Sequence, residues 1–234
     1  MNKQSNTYTI IYIIVLVVLV GTALASTSLA LKERQQENID ADKMSQILAA
    51  ALVHPAKGEV VADYNRYVTR SFTVNAEGEE IEGTKAFDID VAAQSKLAAD
   101  QRLLPVYECT LSDGAVKYIL PVYGAGLWGP IWGYVAFDDN GTTIYGAYFA
   151  HQGETPGLGA EIEKPQFSDQ FQGKQVFKEG RFRPVAVVKN GSKPMDGEDY
   201  VDGISGGTIT SKGVSAMLDN CLTPYRKFLQ SLSE

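Results

Sequence analysis

Hydrophobic and polar positions follow several distinct rhythms along this chain. From Tyr8 to Leu31 there is no charged residue, and Ile10 to Val20 is almost wholly aliphatic. About 22 helical residues, at a rise of about 1.5 Å each, cross the roughly 30 Å hydrocarbon core of a bilayer. The stretch therefore predicts a membrane span. Ala23-Leu24-Ala25 also has the small-x-small form of a signal-peptide cleavage site. The long apolar run, and a basic flank of only Lys3 and the terminal amine, favour a retained anchor. From Lys32 to Leu52 a mostly helical spacing of Ile39, Met44, Ile47, Leu48, Ala51 and Leu52 predicts a stalk.

Beyond the stalk the rhythm shortens. Tyr67 to Val74 alternates as a strand, turned by Asn75 to Gly78. Asp88 to Arg102 is rich in alanine, with Ile89, Ala92, Ala93 and Leu97 on one side, and predicts a helix. Val116 to Tyr123, Ile131 to Asp138 and Thr142 to Ala150 read as strands. Asp138-Asp-Asn-Gly141 is a hairpin turn between the last two. Pro165 to Phe171 suggests a short helix and Arg183 to Lys189 a strand. Val214, Met217, Leu218, Cys221, Leu222, Tyr225, Phe228, Leu229 and Leu232 mark an amphipathic C-terminal helix, which Pro224 kinks or divides. Strands in runs with helices outside them give an α+β class. The expected organisation is an anchor at 1–31, a helical stalk at 32–60 and one domain at 61–234.

Composition narrows the function. A chain of 234 residues with 44% hydrophobic content suits one domain plus an anchor. A net charge of -7, from 21 basic and 28 acidic residues, argues against nucleic-acid binding. Cys109 and Cys221 form no Cys-x-x-Cys pair, so the chain alone does not suit a cysteine-ligated iron–sulfur cluster. Whether they pair with each other is open. His54 and His151 are too few and too far apart to suggest a zinc site. Charges do not orient the anchor: Lys3 stands on one side, Lys32 and Arg34, offset by Glu33, on the other. Glu79-Glu80 and Asp138-Asp139 sit in turn-like stretches and read as solvated loops.

The candidate chemistry lies in three glycine-rich segments. Asp202-Gly-Ile-Ser205-Gly206-Gly207-Thr208-Ile-Thr210-Ser211 puts two glycines before a threonine, and a helical pattern follows. Such a turn holds a hydroxyl out beside a helix start, whose free N–H groups suit a phosphate. Glu154-Thr155-Pro156-Gly157-Leu158-Gly159 follows a strand and forms a restricted loop. Gly126-Leu-Trp128-Gly-Pro-Ile-Trp132-Gly-Tyr134 precedes one. Capped turns, rigid loops and core tryptophans explain each segment taken alone. His151 has no evident partner for base catalysis and reads as a hydrogen-bonding histidine.

Taken together and in this order, the segments resemble the covalent FMN-binding domains of extracytoplasmic electron carriers. The motif Asp-x-x-Ser-Gly-(Ala/Gly)-Thr is similar to the flavinylation motif of that family, although Gly207 stands where alanine is usual. With the N-terminal span, the chain resembles the C subunits of sodium-translocating NADH:quinone reductases. The resemblance implies an antiparallel sheet with flanking helices and FMN joined through a phosphoester to Thr208. It makes Asp202, Ser205, Gly206, Gly207 and Thr210 the companions of that threonine. It makes Glu154, Thr155, Gly157, Leu158, Gly159 and Trp128 further cofactor contacts. A threonine hydroxyl is a poor nucleophile unaided, and the family uses a flavin transferase with FAD as donor. The implied role is electron relay within a bacterial inner-membrane respiratory complex that passes electrons to quinone and pumps sodium. The other subunits would be partners, with the C-terminal domain on the periplasmic side. No Gly-x-Gly-x-x-Gly motif leads from a strand into a helix, as nucleotide binding requires, so NADH would be oxidised by another subunit. Two other readings remain open at this point. One is the G subunit of the related Rnf complex, and the other is an anchored ligand-binding module without cofactor.

Overall fold

The computed structural model describes residues 6–194 and 197–233. Lys3, in the basic flank of the expected anchor, lies outside them. The chain divides between Lys43 and Met44 into two compact units. Helix α1 runs from Asn6 to Ala50. Among the described residues it is the one helix long and apolar enough to cross a membrane. Ile10 to Val20 are all exposed, as a lipid-facing surface requires. The hydroxyls of Thr22 and Thr27 donate to carbonyls one turn back, Val18 O and Ala23 O, both at 2.8 Å. These two hydroxyls are thus satisfied within the helix itself.

After the last turns of α1, the second unit continues with α2 (Val60–Tyr67) and β1 (Val68–Val74), then the short α3 (Val91–Gln94). Strands β2 (Leu104–Thr110), β3 (Val116–Ala125), β4 (Pro130–Asp138) and β5 (Ile144–His151) follow. Then come α4 (Pro165–Ser168), the two-residue strands β6 (Phe177–Lys178) and β7 (Arg181–Phe182), β8 (Ala186–Val188) and β9 (Tyr200–Asp202). Helices α5 (Thr208–Leu222) and α6 (Arg226–Ser231) end the chain, separated by a 3-10 turn at Thr223–Tyr225 where Pro224 sits. Strands β1 to β5 form one antiparallel meander in chain order. Strands β8 and β9 pair in parallel beside it as a separate two-stranded sheet.

Both faces of the meander are covered, and side chains alternate between two cores. Val106, Leu120, Val135 and Phe137 pack with α5 residues Val214, Met217, Leu218 and Leu222. Their neighbours Tyr107, Ile119, Tyr134 and Ala136 pack with Ile47, Leu48 and Ala51 and with Tyr64 of α2. That double coverage explains the long buried runs in β3 and β4, where a half-solvated sheet would alternate.

Two departures from the sequence expectations are informative. Asp88 to Arg102 is not one helix: it breaks into a 3-10 turn (Ala86–Asp88), α3 and another 3-10 turn (Ala99–Gln101). The buried Arg102 guanidinium takes the carbonyls of Leu97 (2.9 Å) and Ser95 (3.0 Å) and also binds Asn220 of α5. Tertiary hydrogen bonds override the alanine-rich propensity there. Strand β2 is not among the strands expected from the sequence, and it carries Pro105, a residue disfavoured within sheets. In the fold Pro105 pairs opposite Thr73, and its carbonyl accepts the buried Tyr225 hydroxyl at 2.8 Å.

Candidate functional site

Strand β9 delivers the chain to the Thr208 turn. Gln170 grips the backbone of Asp202: its Oε1 accepts the Asp202 N–H at 2.9 Å, and its Nε2 donates to the Asp202 carbonyl at 3.4 Å. The Gly203 N–H donates to Val188 O at 2.7 Å, and the Gly207 N–H to Ile204 O at 3.0 Å. Gly206 has φ +76, a conformation L side chains rarely adopt, and a Cβ there would meet the Leu158 side chain. Ser211 closes the turn. Its Oγ accepts the Ile204 N–H at 2.9 Å, while its own N–H donates to Gly207 O at 2.9 Å. Thr208 therefore opens α5 with its side chain in solvent, and the buried Thr210 and Ser211 lock the turn from below.

The second and third segments meet this turn at one carboxylate. Glu154 is only 5% exposed. Its Oε1 accepts the Trp128 N–H at 2.7 Å, and its Oε2 accepts the Thr210 hydroxyl at 2.5 Å. One side chain thus joins all three glycine-rich segments. Gly159 makes room for the junction, since a Cβ at that position would collide with both Glu154 Oε2 and Thr210 Oγ1. Burial pushes the Glu154 carboxyl up. The Thr210 hydroxyl, the Trp128 and Leu127 N–H groups and nearby His151 outweigh it, leaving the carboxyl below its ordinary range. The 154–159 loop is closed by the Leu158 and Ala160 N–H groups donating to Thr155 O, both at 3.1 Å. His151 Nδ1 accepts the Glu154 N–H at 3.1 Å, the hydrogen-bonding role expected of it.

Around this junction the surface is apolar. Leu127, Trp128, Leu158 and Ile209 are all exposed, Trp128 by 69%. All four belong to the three joined segments. Trp132, in contrast, is half-buried, and its Nε1 donates to Gln46 Oε1 at 3.0 Å. The two cysteines are buried free thiols, both pushed up by burial, Cys109 to about 11.

The family model for the FMN-binding domain matches residues 126–223, a stretch that contains all three segments. The C subunit of the Na(+)-translocating NADH-quinone reductase of Vibrio vulnificus strain YJ016 is 36% identical over 218 residues, covering 86% of this chain and 85% of its own. The chain belongs to that C-subunit family. The family member from Yersinia pestis is 34% identical, with 91% of this chain and 87% of its own covered. A crystal structure of the C subunit from Parabacteroides distasonis superposes with a TM-score of 0.78 at 52% identity, covering 85% of this chain and 96% of that one. NqrC of Shewanella oneidensis gives 0.68 at 27% identity, covering 83% and 98%.

Not every residue implied by the C-subunit resemblance converges. Trp128, Glu154, Leu158, Gly159, Gly206 and Thr210 are brought into contact. Ser205 and Gly207 flank the turn, and Gly157 takes φ +75 in the loop. Thr155 contributes its carbonyl, and its side chain is exposed. Asp202 is held by its backbone, and among the described residues its carboxylate has no hydrogen-bond partner. Sequence reasoning missed Gln170 as a clamp and Ser211 as the organiser of the turn. Ser211 stood in a visible run of hydroxyl residues, but Gln170 lies 32 positions from its partner and gave no local signal.

Proposed function

We propose that this C-subunit family member is a membrane-anchored flavoprotein subunit of a sodium-translocating NADH:quinone reductase, with FMN attached to Thr208 through a phosphoester. The observation carrying this reading is the junction at Glu154, which gathers three segments of an FMN-binding domain around one exposed threonine at a helix start. Bound there, FMN supplies the electron-carrying chemistry. The protein's residues do the rest. The Ser205-Gly206-Gly207 turn leaves the Thr208 hydroxyl accessible to a flavin transferase, and the first N–H groups of α5 face the phosphate. Leu158, Trp128 and Ile209 supply apolar surface that keeps water from the flavin, while Glu154 fixes the loops that carry them. Thr155, Gly157 and Gly159 shape the loop, Thr210 holds the turn, and Asp202 and Ser205 are the residues by which the transferase recognises it.

In this reading residues 1–31 are the anchor, 32–60 the stalk and 61–234 the flavin domain, although the stalk's helix ends at Ala50 and its residues from Met44 on belong to the same compact unit as the domain. The chain sits in the bacterial inner membrane with that domain on the periplasmic side, among the other subunits of the complex, one of which oxidises NADH. The match to C subunits along most of the chain favours this over the G subunit of the Rnf complex. The FMN-binding domain match disfavours a cofactor-free ligand-binding module. Peptide mass spectrometry of the full chain, produced with a flavin transferase, tests the attachment. The FMN mass is expected on the Thr208 peptide and absent from Thr208→Ala. Modification at Ser205, Thr210 or Ser211 overturns the assignment.

A further inference from the structure

Beside Thr208 lies a cavity of about 330 Å³, lined in part by Val187, Lys189, Ile204, Thr208, Ser211 and Lys212. That volume falls within the range of small-molecule sites. Its charge is opposite to that of the chain. The protein carries a net -7, yet the described lining holds two lysines and no acidic residue. The two cations arrive by independent routes. Lys212 stands four positions after Thr208 on α5 and so shares its face of the helix. Lys189 follows the last residue of β8. Among the described residues neither lysine forms an ion pair. Lys212 also borders a second groove with Glu198 and Asp219, without pairing to either. Ser211 Oγ is already engaged by the Ile204 N–H, so the lysines are the cavity's charged donors to a ligand.

We propose that Lys189 and Lys212 are the counter-charges of the phosphoester at Thr208, and that this cavity seats the phosphate and the polar ribityl chain of the flavin. The inference rests on the flavin reading above and adds residues that reading does not use. The lining includes none of the 154–159 loop, so the site divides the cofactor: polar tail in the lysine cavity, ring toward Leu158. The lysines are positioning residues. They order the tether and leave the making of the bond to the transferase. Both are exposed, so their attraction to phosphate is screened by salt.

The test uses the full chain in detergent, flavinylated during production, as wild type, Lys189→Gln/Lys212→Gln and Lys189→Arg/Lys212→Arg. Phosphorus NMR reads the phosphoester directly, and flavin fluorescence anisotropy reads the freedom of the tether. In the wild type the phosphorus resonance should move, and anisotropy should fall, as salt rises from about one-tenth molar to 1 M, where the Debye length shrinks to about 3 Å. The double glutamine variant should show the high-salt values at both salts, and the double arginine variant should behave as wild type. Loss of attachment in the glutamine variant alone would make the lysines part of bond formation and overturns their role as positioning residues. Loss in both variants, or a resonance and anisotropy indifferent to salt and to substitution, overturns the lysine assignment. A wild-type chain without a fluorescent flavin band in a denaturing gel overturns the underlying flavin reading instead.

Discussion

Glu154 is the side chain whose loss should be felt most widely, because its one carboxylate hydrogen-bonds to both of the other glycine-rich segments. Glu154→Ala removes acceptors from the Trp128 N–H at 2.7 Å and the Thr210 hydroxyl at 2.5 Å. Hydrogen bonds to a charged partner contribute about 1.5–3 kcal/mol each. The two share one carboxylate and are not additive, and the variant escapes the cost of burying a charge. The expected loss is therefore about 2–4 kcal/mol, or about 4–16 °C in melting temperature for a domain of this size. Glu154→Gln keeps the shape and an acceptor for Trp128 and should cost about 1 kcal/mol. A pH dependence separates charge from shape. The Glu154 carboxyl lies below its ordinary value in the folded chain, against about 4.3 when unfolded. Its contribution is therefore fully present above the unfolded value and lost as pH falls through the folded one. Thermal unfolding of the full chain in detergent, followed by near-ultraviolet circular dichroism, should show a gap between wild type and Glu154→Gln at pH 7. That gap should begin to narrow as pH falls below about 4.3 and close as it passes through the lower folded value. A Glu154→Ala variant as stable as wild type, or a glutamine gap that does not change with pH, would refute the junction argument.

The same geometry yields three further expectations. Gly159→Ala drives a Cβ into Glu154 Oε2 and Thr210 Oγ1 and should destabilise the domain by about 1–3 kcal/mol, measured by the same unfolding assay. Leu158→Ala should keep the covalent flavin but shift its midpoint potential, by removing apolar cover from a side chain that already touches the Gly206 turn; an identical redox titration and visible spectrum would place the ring elsewhere. Carbonate extraction should leave the chain in the membrane pellet, and protease added to spheroplasts should reach the C-terminal domain. A mature N-terminus near Ser26, or full protection of that domain, would count against the retained anchor or its proposed orientation.

How much of this was legible beforehand depends on the range of the forces involved. The apolar run to Leu31, the β3, β4 and β5 strands, the turn after Asp138 and the break at Pro224 were all readable. Each rests on neighbours within one helical turn or one hairpin. The three glycine-rich segments were readable too, because only glycine tolerates such turns. Composition and periodicity did not say that the segments meet. Glu154 and Thr210 are 56 positions apart, and Trp128 and Glu154 are 26, so their contact exists only once the meander folds and α5 packs across it. The broken helix at Asp88 to Arg102 follows the same logic, since Asn220, on a distant helix, helps hold Arg102. Local propensity chose the elements. Buried long-range hydrogen bonds, worth more in a dry interior than any single propensity, decided how those elements end and which side chains surround Thr208.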